Sequence, residues 1–95
     1  MLLRIPEPPR FYCEADEDHF FAWLQGIAAV KAVVGTPDGL DLTIDIPVDQ
    51  LSFYELVGLM TRYDLDRKSL RPLCEGHSDP WFNDKKNYWY EAVFG

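Results

Sequence analysis

The sharpest pattern in the chain is Leu40-Asp41-Leu42-Thr43-Ile44-Asp45-Ile46, in which apolar and polar residues alternate at every step. A period of two predicts a half-buried strand over residues 40–46, with Leu40, Leu42, Ile44 and Ile46 inward and Asp41, Thr43 and Asp45 outward. Immediately before it, Val30 to Val34 is β-branched and apolar, and Thr36-Pro37-Asp38-Gly39 joins the two runs. Proline presets φ and glycine accepts positive φ, so the whole reads as a hairpin.

Two stretches carry the helical period instead. Behind the acidic run Glu14 to Asp18 come Phe20, Phe21, Leu24, Ile27 and Ala28, which predict an amphipathic helix from about Asp16 to Gln25 with Gly26 as its stop. Pro47 closes the strand, and Asp49 caps a second helix reaching Tyr63, with Phe53, Leu56, Val57, Met60 and Tyr63 on one stripe.

The remaining elements are read from composition. Phe11-Tyr12-Cys13 has strand character, and Ser69 to Cys74 reads as a strand that Pro72 confines to an edge. Tyr88 to Phe94 reads as a last strand, with Trp81-Phe82 pairing back across Asn83 to Asn87. Residues 1–9 hold three prolines and read as an extended N-terminal arm ahead of a single α+β domain over residues 10–95. The order β-α-β-β-α-β predicts the ferredoxin-like split βαβ plan. Two helices cover one face of an antiparallel sheet, and an extra C-terminal hairpin is compatible with it.

Composition narrows the class of partner. The chain has 95 residues, enough for one core, and carries 16 acids against nine bases for a formal charge of −7. That balance speaks against nucleic acid and against an anionic membrane surface, both of which are bound by Lys and Arg. A hydrophobic share of 47% with 14 aromatic residues supports a packed core over disorder. There is no apolar leader and no apolar run near the roughly 18 residues a membrane span needs, so the expected compartment is the cytoplasm.

Candidate chemistry is sparse. Cys13, His19, Cys74 and His77 contain the donor atoms of a zinc site, and Cys74-x-x-His77 has usable local spacing. A Cys13–Cys74 disulfide and two independent thiols are the alternatives, and independent thiols fit a reducing compartment best. His77 with Asp79 or Glu75 is the one acid–base grouping in a polar loop. No nucleophile elbow, zincin helix or glycine-rich phosphate loop occurs. The expectation is therefore no catalytic residue, no metal and no cofactor.

Charge and aromatic patterning point to binding. Residues 1–66 hold twelve acids and four bases. With the helices on the Leu42 and Ile44 side, Asp41, Thr43 and Asp45 are expected on an open acidic sheet face that attracts a basic partner. Residues 81–94 hold six aromatics, and Trp81, Tyr88, Trp89 and Tyr90 are the expected anchors of an interface. Together these predict a small acidic protein-interaction module, of the inhibitor or immunity type, for a basic protein such as a toxin. The alternative is a ligand-sensing or regulatory domain that forms a homodimer through its sheet or tail.

Overall fold

A computed structural model describes residues 1–95. Three strands, β1 (Leu2–Ile5), β2 (Val30–Thr36) and β3 (Gly39–Ile44), form an antiparallel sheet in the order β1-β3-β2. Two long helices, α1 (Glu14–Gly26) and α2 (Gln50–Arg62), pack on one face. The rest of the chain is short helical pieces: a 3-10 turn (Arg67–Leu70) running into α3 (Arg71–Cys74), a second 3-10 turn (Pro80–Asn83), and α4 (Tyr90–Phe94). The fold is α+β, and it holds 23 buried apolar residues in one core.

The hairpin forms as its alternation demands. Leu40, Leu42 and Ile44 are buried under the helices, while Asp41 and Thr43 face outward. The strand stops two residues early, because the chain turns toward α2 after Ile44 and leaves Ile46 61% exposed. Gly39 has φ of +139°, and a β-carbon there would stand 2.5 Å from the Ile5 carbonyl oxygen, so only glycine lets β1 close over the turn.

Four expectations need correction. The first strand is Leu2–Ile5, not Phe11–Cys13. Leu3 and Ile5 point inward with period two, so the expected arm is part of the sheet up to Pro6. Phe11 instead plugs the core beside Phe20, Phe21 and Tyr63, with ring centroids 5.6, 6.1 and 6.3 Å away. The Tyr12 N–H donates to the Asp16 carboxylate at 3.0 Å, ordering the start of α1, where Cys13 offers no side-chain cap.

The third and fourth corrections concern the C-terminal third. Ser69 to Cys74 is helical: Leu70, Leu73 and Cys74 are buried at helical spacing, and Pro72 sits in a first turn where its missing N–H costs nothing. No fourth strand pairs with β1. The tail is helical as well. Asp79 caps the turn begun by Pro80, accepting the Trp81 N–H at 3.0 Å, and Trp89 and Val93 are buried one helical turn apart. A strand would have buried Glu91 along with Trp89 and Val93, whereas Glu91 is exposed.

α2 is the spine of the helical layer. Asp49 caps it by accepting the Ser52 N–H at 3.0 Å. The Ser52 hydroxyl, itself buried, accepts the Ala29 N–H at 3.1 Å and ties the end of α1 to the start of α2. At the other end the Tyr63 hydroxyl donates to Asp16 at 3.2 Å. The two helices therefore run antiparallel, with the indole of Trp23 lying over Gly58 between those ties.

Candidate interaction surface

The carboxylates expected on the open face of the sheet, Asp41 and Asp45, each have a base beside them. Arg4 stands directly opposite Asp41 in the β1–β3 register. Its Nε and Nη2 donate to the two carboxylate oxygens at 2.7 and 3.2 Å. That fork-on-carboxylate geometry holds the Asp41 carboxyl below its ordinary value, chiefly through the hydrogen bond. Asp45 has Lys31 at 3.4 Å, and Asp38 has Arg4 at 3.8 Å. Thr43 lies between Leu2 and Ala32. The face expected to draw in a basic partner thus carries its own bases, and apolar Leu2, Ala32 and Val34 lie among the ion pairs.

The unpaired acids lie elsewhere. Glu14, Glu17 and Asp18 are exposed at the start of α1, make no ion pair, and share a helix with no Lys or Arg. Carboxylates there are stabilised by the positive end of the helix.

The aromatic tail divides in two. Trp89 is core, packed 4.9 Å from Phe53 and 5.3 Å from Trp81 between ring centroids, so it cannot serve as an exposed anchor. Its indole Nε1 is buried with no hydrogen-bond partner. Tyr90 is half-buried and stacks along Phe94 at 4.8 Å. Trp81 is half-buried, and Tyr88 is 68% exposed.

Trp81 and Tyr88 are joined by a residue outside the tail. The Tyr54 ring, on the solvent side of α2, lies 5.8 Å from each of them, tilted by 36° and 38°. One turn before Tyr54, Leu51 is 70% exposed; one turn after it is Gly58 with Trp23. The outer face of α2 thus carries Leu51 and Tyr54, with Trp81 and Tyr88 of the tail beside Tyr54 and Trp23 of α1 over Gly58. Sequence reasoning missed Tyr54 and Leu51. The available signal was an apolar pair on the side of α2 opposite its Phe53, Leu56 and Met60 stripe, where polar residues belong.

Hydrogen bonds tie the Trp81 end of the patch to α2. Asp79 takes Gln50 Nε2 on one carboxylate oxygen at 2.8 Å and the Trp81 N–H on the other, which clamps the tail to the start of α2. The Gln50 hydrogen bond is the main reason its carboxyl titrates below the ordinary range. His77 supports the same loop. Its Nδ1 accepts the Asp79 N–H at 3.0 Å, which leaves the proton on Nε2 to be donated to the Val48 carbonyl at 2.8 Å. The ring stacks on Phe82 at 3.7 Å. Both nitrogens are spoken for, and the Asp79 carboxylate is turned to Gln50 and Trp81, so the arrangement offers neither a free base nor a free acid.

Cys13, His19, Cys74 and His77, the donor atoms weighed for a zinc site, do not form a cluster, and no three His, Cys, Asp or Glu side chains converge on one point. Cys13 is exposed and Cys74 buried, and the two are not bonded. Burial pushes the Cys74 thiol up to about 12, with the neighbouring Glu75 charge adding to it. No helix is long and apolar enough to cross a membrane. Comparison with protein-family models, curated proteins and solved structures gives no match. What bears on function is the chemistry of the surface itself.

Proposed function

We propose that this chain is a small acidic protein-interaction module that binds its partner through the Tyr54–Trp81–Tyr88 patch and not by catalysis. The observation that carries the proposal is the convergence of these three rings, from α2 and from the tail, on the outer face of the helical layer. Core packing does not require Tyr88 or Leu51 to be there, since both are mostly in water. Tyr and Trp on a scaffolded surface supply large contact area at little ordering cost, which is why they dominate binding hot spots. The unpaired carboxylates at the start of α1 add a negative field that favours a basic partner, as an inhibitor or immunity-type protein of a toxin would have. The free thiols fit a cytoplasmic setting. The fold is read with this as a ferredoxin-like plan whose fourth strand is replaced by the helical turns of residues 67–74.

The test is photo-crosslinking in the producing cell with benzoylphenylalanine in place of Tyr88. One discrete adduct with a basic protein is expected, lost on adding Tyr54→Ala and Trp81→Ala. An adduct pattern identical to that from exposed Lys68 overturns the reading.

A further inference from the structure

A second surface is built into the sheet, and it goes beyond the aromatic patch. The sheet has two outer strands, and they are not equally protected. β1 is four residues long and is cut off by Pro6. β2 is seven residues long, and five of them in sequence from Lys31 to Gly35 are exposed or only half-buried.

The register identifies which backbone groups of β2 are free. The two-residue turn Pro37–Asp38 makes Thr36 and Gly39 a bonded pair, and Val34 with Asp41 and Ala32 with Thr43 follow at alternate positions. Between them, Val33 and Gly35 turn their N–H and C=O groups away from β3, and neither makes a backbone bond to any loop. A strand edge of this kind is a template for another strand.

We propose that a second copy of this chain occupies the edge, pairing β2 with β2 antiparallel about Val34 to give one six-stranded sheet. Self-pairing about Val34 sets Val33 opposite Gly35 of the other copy, and the reverse, so the free groups of both copies satisfy each other in four hydrogen bonds. Val34, 58% exposed on the open face, meets Val34 of the other copy at the close, non-bonded spacing. Lys31, at the bulge between Val30 and Ala32, falls opposite Pro37 of the other copy. Proline has no N–H to leave unpaired there, and Lys31, 3.4 Å from Asp45 in its own copy, exchanges that exposed pair for the adjacent Asp38 carboxylate of the other copy, which lies 3.8 Å from its own Arg4 and is largely exposed. A foreign strand would need to reproduce that lysine-to-aspartate complement by chance; a second copy supplies it by symmetry.

Each copy carries a charge of −7, so the pairing works against net repulsion, and raising salt tightens it. Binding of a basic partner at the patch is weakened by salt, so the two readings fail separately. The experiment is sedimentation velocity on the full chain across a wide concentration range at low and high salt. A dimer stronger at high salt is expected. Val34→Lys, at a solvent-exposed position beside Asp41, leaves the circular dichroism unchanged and raises the dimer dissociation constant about tenfold or more by placing two lysines together on the axis. In a Cys13→Ser background, Val34→Cys oxidises to a covalent dimer, since the paired Cα spacing of about 4.5 Å suits a disulfide, and Thr43→Cys on the central strand does not. A monomer at every concentration and salt overturns the proposal. So does a dimer that survives Val34→Lys and fails to crosslink through Val34→Cys, which would move self-association to another surface.

Discussion

The guanidinium of Arg4 grips the carboxylate of Asp41 across the β1–β3 pair, with its Nε 2.7 Å from Oδ1. This contact matches the charge of Asp41 within the sheet itself. Asp41 was available to a partner only as long as β1 lay elsewhere; with Leu2–Ile5 in the sheet, the charge is already matched. An exposed ion pair of this kind adds little to stability. Charge reversal at Asp41 and Asp45 is therefore expected to leave partner association within about twofold of the parent, read as an association rate at two salt concentrations.

The cap of α2 makes a sharper prediction. Asp49→Ala removes the acceptor of the Ser52 N–H and is expected to cost about 1 kcal/mol in urea unfolding at neutral pH. Ser52 holds the Asp49 carboxyl below its ordinary value. A depressed carboxyl contributes stability that is present above the unfolded value and lost as pH falls through the folded one. The gap between parent and Asp49→Ala is thus expected to narrow in acid; a gap independent of pH would remove the cap from the account.

At the alkaline end the buried Cys74 thiol carries a prediction of its own. Its thiol is raised by burial from 9.0 to about 12. A raised group contributes fully below its unfolded value and loses that contribution as pH rises toward the folded one. Between those limits the stability of the parent is expected to fall by about 1.4 kcal/mol per pH unit from this group alone. Tyr63 and Tyr88 are also raised by burial, so the difference between parent and Cys74→Ala isolates the thiol. Parallel curves for the two proteins above pH 9 would show that Cys74 is not buried as described.

Trp89 offers a test of the tail packing. Its indole N–H is buried without a partner, an arrangement that costs about 1–3 kcal/mol. Trp89→Phe removes the orphaned donor along with some apolar area and is expected to change stability by less than about 1 kcal/mol, whereas Trp89→Ala costs about 3–5 kcal/mol. A large loss in Trp89→Phe would mean that the N–H has a partner after all.

Where sequence and structure agree, the reason is local. Leu40 to Ile44 and Phe53 to Met60 carry a single period long enough to leave one reading, and Asp49 and Pro37–Asp38–Gly39 are punctuated by their own chemistry. Where they part, composition stood in for period. Leu2-Leu3-Arg4-Ile5 alternates, yet the prolines after it suggested an arm. Ser69 to Cys74 and Tyr88 to Phe94 look like strands by residue type, while their buried positions step by three and four. The patch was half visible: Trp81 and Tyr88 stood out as aromatics, but Tyr54 belongs with them only because Asp79 and Gln50 bring the tail against α2.

On the proposed reading the aromatic patch binds the partner and the sheet acids do not. The direct measurement is the affinity of the crosslinked partner for three purified proteins: the parent, Tyr54→Ala/Tyr88→Ala, and Asp41→Lys/Asp45→Lys. Tyr54, Tyr88 and Asp45 are exposed and Asp41 is half-buried against Arg4, so each variant is checked for an unchanged fold by circular dichroism. The patch variant is expected to lose about tenfold or more, the scale of a truncated hot spot, and the charge-reversed sheet to stay close to the parent. Full affinity in Tyr54→Ala/Tyr88→Ala with a large loss in Asp41→Lys/Asp45→Lys would contradict the account and return the interface to the sheet.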